Sequence, residues 1–267
     1  MFDINKFENI NDSFNNLKKI KNYDRINITY TIKNPIDIID RFNIRTNLAF
    51  AIYLLIYFIK ESELFDKWYY LIDNFFNKKI NLFVIDVSIY NFYFIRKNNH
   101  LMLYAENNEG STIETYTSEM FAFSALQQLI ANEFHMSIGE MSYSCKNLIL
   151  NEKIKKLYKY NSITFDWSKL NINNEDFKTF VHLGEKIKNI KTIEELIKTV
   201  NNISIKYETI VNMTYILIHH KLKELLFTNT VKVRHYDCIL KSKLYNFCDK
   251  NIKEYAEETC FYKRGDC

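Results

Sequence analysis

Between Leu103 and Phe134 the chain reads LYAENNEGSTIETYTSEMFAFSALQQLIANEF, and this stretch limits the fold more than any other. Met120, Phe121, Phe123, Leu126, Leu129, Ile130 and Phe134 recur at helical spacing, which predicts an amphipathic helix with one core face. The residues before it, HLMLYAEN, predict a strand. A polar loop joins the two, the usual place for a ligand site on a rigid scaffold. Yet the loop holds acids, amides and hydroxyls, with no Arg, Lys or His.

The flanking segments extend the pattern. Residues 1–33 predict a helix and an edge strand, and Asn34-Pro35 marks a turn. TNLAFAIYLLIYFIKESELFDKWYYLIDNFF predicts one or two helices, with Asn47 as N-cap and a first helix apolar nearly all round, hence central. INLFVIDVSIYNFYFIRK predicts one long strand or two consecutive ones, joined to HLMLYAEN through the KNN turn. Gly139 marks the end of the long helix, and EMSYSCKNLIL is a further strand. From about residue 175 the pattern is helical, through LYNFCDKNIKEYAEE. The expected fold is α+β: a central, mostly antiparallel sheet flanked by helices, with a helical C-terminal third.

Composition removes several functions. Apolar residues make up 47% of the 267, so a sizeable core is available. With 4 glycines and 1 proline, the Gly-rich phosphate loops are absent. The net charge of +4 is spread along the chain and does not argue for nucleic acid. Five cysteines, Cys145, Cys238, Cys248, Cys260 and Cys267, lack CxxC spacing, which argues against a zinc site and favours a reduced compartment. No signal peptide or membrane span is read, so a cytoplasmic or otherwise intracellular protein is expected.

The order of elements resembles the thymidylate synthase superfamily, most closely its pyrimidine-nucleotide hydroxymethylase branch. RTNLAFAIYLLIYFI, the stretch from Asn91 to Glu152, and YETIVNMTYILIHHKLKE carry the resemblance, over about residues 34–250. It implies an N-terminal extension at 1–33 and a thymidylate synthase-like domain at 34–267. The resemblance also implies where that chemistry would sit. The nucleophilic Cys, needed for covalent addition to the pyrimidine, falls at Asp86. The helix Glu falls at Leu54 and the following Trp at Tyr57. The phosphate-binding Arg-Ser pair falls at Asn108-Glu109, and the loop Asp at Ser111. The residue that reads the base falls at Glu119, and the sugar-binding His and Tyr fall at Ile149 and Asn151. Arg45 keeps the early Arg, and Lys78-Lys79 match an Arg pair that dimers lend to their partner's phosphate, or else simply close a loop. These three are the candidate anion-binding residues.

Such a replacement of nucleophile, acid, phosphate ligand, base reader and sugar binder implies that the family reaction is lost. The expectation is a degenerate, thymidylate synthase-like binding or scaffold homodimer with no catalytic residues, no metal and no cofactor. The alternative is a divergent, folate-dependent pyrimidine nucleotide C5-methyl- or hydroxymethyltransferase with a rebuilt site, Cys145 being the nearest thiol. A third reading is a subunit of a larger assembly with another protein. Pyrimidine nucleotide binding is weakly indicated and membrane binding is not.

His219 and His220 point about 100° apart on a helix and suit no shared metal. His235, Asp237 and Cys238 lack a second ligand cluster. Glu106, Glu109, Glu114 and Glu119 read as a solvated acidic run, with a divalent cation among them as the less favoured alternative. Asp86 and Glu119 would form a buried carboxylate pair, with raised pKa values, if one pocket holds both.

Overall fold

The computed structural model describes residues 5–19, 25–35, 47–77, 80–150, 165–168 and 170–227. The chain divides into two compact units, Met1–Asn173 and Asn174–Cys267.

In the first unit the elements follow as β1 (Asn5–Phe7), α1 (Ile10–Lys19), β2 (Arg25–Ile32), α2 (Leu48–Glu61), α3 (Leu64–Phe76), β3 (Leu82–Val87), β4 (Tyr90–Lys97), β5 (His100–Asn107), α4 (Ile113–Glu133) and β6 (Ser137–Ile149). Among the described residues six strands form one sheet in the order β1-β2-β6-β5-β4-β3. The sheet is mixed. β2–β6, β3–β4 and β4–β5 are antiparallel, whereas β1–β2 and β5–β6 are parallel. The parallel pair β5–β6 follows from the long helix α4, which carries the chain back to the starting end of the sheet. The edge strand expected in residues 1–33 is β1; β2 lies inside, between β1 and β6.

Local chemistry accounts for most boundaries. Asn47 accepts the Phe50 backbone N–H at 3.1 Å and starts α2. The hairpin β4–β5 turns at Asn98 and Asn99, both with positive φ, a conformation Asn tolerates. Helix α4 ends earlier than the glycine suggests. Phe134 is its C-cap and His135 turns the chain at φ 52°. Gly139 lies within β6, where a Cβ would overlap the Met102 sulfur and approach Leu101 O to 3.2 Å.

The two sheet faces differ. Phe83, Ile85, Val87, Phe92, Phe94, Leu101, Leu103, Met141 and Tyr143 are buried on one face. Helices α2 and α4 pack there, with Phe58, Tyr90, Phe92 and Phe123 forming an edge-to-face aromatic cluster. Between Leu101 and Leu103 the β5–β6 register shifts. Gln127 of α4 answers this bulge by donating to Leu101 O at 2.7 Å and Gly139 O at 3.2 Å. The opposite face carries Leu82, Val84 and Asp86 of β3 and Ile95 of β4, all exposed.

In the second unit, α5 (Glu175–Asn189), α6 (Ile193–Asn201) and α7 (Glu208–Phe227) form a helical group. Asn174 and Thr192 cap α5 and α6. Lys221 is buried on α7 and donates to Lys188 O near the end of α5, at 3.0 Å, where a cation favours the helix dipole. The last expected helix, LYNFCDKNIKEYAEE, lies outside the described residues. Among the described residues no helix is long and apolar enough to cross a membrane.

Candidate functional site

The polar loop and α4 converge beneath the C-terminal ends of β5 and β6. Asn107, the last residue of β5, organises the loop. Its Oδ1 accepts the backbone N–H of Glu109 at 3.2 Å and of Gly110 at 2.9 Å, while Nδ2 donates to Gly110 O. Gly110 has φ +133° and lies so close to β6 that a Cβ would stand 2.9 Å from Asn147 O. Thr112 and Thr115 then form a reciprocal capping box that opens α4. Ile149 closes the loop from the other side by donating its N–H to Ser111 O at 2.8 Å.

Glu119 is the centre of this structure. It is 2% exposed. Tyr90 and Asn107 donate to its Oε1 at 2.8 and 3.1 Å, and Ser111 and Tyr143 to its Oε2 at 3.0 and 2.6 Å. Four donors thus fill the carboxylate, one from β4, one from β5, one from the loop and one from β6. Burial raises its pKa, and the four hydrogen bonds oppose that rise without cancelling it. Burial, together with the Glu119 charge, also raises the Tyr90 and Tyr143 hydroxyls. Cys145 lies next along this face, 1% exposed, its thiol pushed up by burial to about 11. A buried thiol held protonated is a poor nucleophile.

The sheet separates Asp86 from Glu119. Side chains alternate along β3, with Phe83, Ile85 and Val87 buried and Leu82, Val84 and Asp86 exposed. Asp86 therefore points to the open face and Glu119 to the covered one, and the carboxylate pair does not form. The acidic run divides in the same way. Glu106 stands on the open face, accepting from Tyr104 at 2.9 Å and Tyr93 at 3.3 Å, and Glu109 is exposed. Glu119 is interior, so a solvated run does not describe it.

Of the other positions drawn from the resemblance, Ser111 joins Glu119 directly. Leu54 and Tyr57 are half-buried on α2. Asn108 is exposed and accepts from Lys146 Nζ at 3.2 Å. Ile149 is 39% exposed at the end of β6. Arg45, Lys78, Lys79 and Asn151 lie outside the described residues, as do His235, Asp237, Cys238, Cys248, Cys260 and Cys267; of Glu114 only the backbone is described. His219 is buried and stacks on Tyr215, and burial lowers the His220 pKa. Among the described residues no three His, Cys, Asp or Glu side chains gather as a metal-binding group.

Sequence reasoning missed Tyr90, Asn107 and Tyr143. Tyr143 lies between Ser142 and Ser144, and Tyr90 precedes Asn91 and shares a face with Phe92; that pattern is the same for a core aromatic and for a tyrosine that serves a carboxylate. A comparison with protein-family models finds no match to this chain, and neither does a comparison with curated proteins.

Proposed function

We propose that this chain is a catalytically degenerate thymidylate synthase-like protein that acts as a binding or scaffold homodimer. The observation that carries the binding role is the open face of the sheet. Leu82, Val84 and Ile95 are 48%, 45% and 39% exposed, and Leu82 pairs with Ile95 in register. Half-buried Tyr93, Met102 and Tyr104 continue the surface. Half-buried hydroxyls continue it on the far side, where Thr29 donates to Ser144 at 3.4 Å.

A second copy of the chain suits this face. Its charges are mixed, Asp86, Glu106 and Glu140 beside Lys6, Lys97 and Lys146, so two copies can oppose unlike charges. Strands spaced about 4.8 Å and about 20 Å long give six strands a projected face on the order of 500 Å2. Side-chain relief brings that toward the ~800 Å2 per partner of a standard interface.

The loss of catalysis draws support from the closed Glu119 network, in which each carboxyl oxygen already has two hydrogen-bond partners within the protein. The rival enzymatic reading needs a nucleophile, and buried Cys145 is ill suited to that role. Sedimentation velocity of the full chain tests the dimer, with a dimer expected for the wild type and a monomer for Val84→Asp. Calorimetry with dUMP and dCMP tests the lost site, and no heat of binding is expected. A monomeric wild type removes the homodimer, and nucleotide binding with folate-dependent turnover removes the degenerate site.

A further inference from the structure

The two oxygens of Glu119 face different chemistry. Oε1 meets Asn107 Nδ2, which can only donate. The orientation of that amide is fixed, because Asn107 Oδ1 already accepts two backbone N–H groups. Oε2 meets only hydroxyls, those of Ser111 and Tyr143, and a hydroxyl can donate or accept. Ser111 also has other places for its own proton. Its Oγ lies 2.5 Å from Thr115 Oγ1 and 3.2 Å from Thr112 O.

The groups that bond Glu119 or interact with its charge most strongly are uncharged at neutral pH. They are Tyr90 from β4, Asn107 from the end of β5, Ser111 from the loop, Tyr143 and Cys145 from β6, and Tyr116 from α4 itself. Burying a carboxylate among hydroxyls and an amide is costly, and the neutral acid avoids that cost. The neutral acid leaves no donor stranded here if its proton lies on Oε2.

We infer that folded Glu119 is a proton-binding site at neutral pH, its proton on Oε2 donated to Ser111, and that ionisation rewires the first turn of α4. In the neutral form Glu119 Oε2–H donates to Ser111 Oγ, and Ser111 donates to Thr112 O or Thr115 Oγ1. When the proton leaves to solvent base, Ser111 turns its hydroxyl to the carboxylate and gives up that contact. The Thr112–Thr115 capping box, which the Ser111 hydroxyl touches, then changes with the proton state of one buried side chain. This is a pH-sensitive device at the N-terminus of α4, independent of whether the chain binds a second copy.

Isotope-edited infrared spectroscopy tests it on the full chain labelled with 13C at glutamate side-chain carboxyls. At neutral pH the wild type is expected to show a protonated-acid carbonyl band that Glu119→Gln lacks. Tyr143→Phe, which removes the other hydroxyl on Oε2, is expected to shift that band, so the assignment stands even if Glu119→Gln does not fold. Raising the pH is expected to remove the band and to move the amide resonances of Ser111 and Thr112 with the same midpoint. A spectrum at neutral pH with carboxylate bands alone overturns the inference. So does an acid band that both substitutions leave unchanged, or amide shifts that do not follow the band.

Discussion

Tyr143 donates its hydroxyl to Glu119 Oε2 across 2.6 Å, with both side chains cut off from water. The bond ties β6 to α4 in the interior, where an unmet hydrogen-bonding group is costly. Tyr143→Phe removes the tyrosine donor from Oε2, and about 1–3 kcal/mol of stability is expected to go with it. Urea unfolding followed by circular dichroism reads this as a lower midpoint with an unchanged slope.

Gln127 is predicted to matter for a related reason. At the β5–β6 bulge it donates to Leu101 O at 2.7 Å and to Gly139 O at 3.2 Å. Gln127→Leu keeps the volume and removes both hydrogen bonds, so a loss of about 1–3 kcal/mol is expected in the same assay. An unchanged midpoint would show that the bulge finds other partners.

Gly110→Ala places a Cβ at φ +133° and 2.9 Å from Asn147 O. Backbone strain of this kind costs on the order of 1–3 kcal/mol. Faster amide exchange at Glu109, Gly110 and Ile149 is expected, with the core strands unaffected.

The pH dependence follows from the raised pKa of Glu119. Its unfolded value is about 4.3. Between that value and the higher folded one, the native state holds more protons than the unfolded state. Stability is therefore greatest below the unfolded value and falls as pH rises through the folded one. Cys145 behaves alike at higher pH, losing its contribution between about 8.5 and its folded value of about 11. Denaturation across a pH series is expected to show both declines, and Glu119→Gln is expected to remove the first. Native alkylation at neutral pH should leave the Cys145 peptide unmodified, and urea should expose it.

Val84 offers a contrast with these buried positions. It is 45% exposed, so Val84→Asp is expected to shift monomer stability by no more than about 0.5 kcal/mol. Its expected effect is on assembly alone, so a thermal melt and sedimentation, run side by side, separate the two.

Much of the fold is legible before any tertiary contact. The periodicity from Met120 to Phe134 sets α4, Asn47 sets the start of α2, and Asn98-Asn99 set the β4–β5 turn. Each depends on neighbours within a turn or two of chain. The end of α4 was misread at Gly139 because the same residue type also serves where a strand passes close to a neighbour, here to Met102 and Leu101.

The sequence by itself determined the elements, their class and the polar character of the loop after β5, because those follow from side-chain period and local capping. Only the tertiary structure decided that β5 and β6 run parallel, that Asp86 and Glu119 face opposite sides of the sheet, and that Glu119 is enclosed. Those outcomes rest on partners as distant in sequence as Tyr90 and Tyr143, which approach Glu119 only once the strands are paired. A carboxylate in a polar loop-to-helix segment looks solvated until the donors that make its burial tolerable have been brought around it.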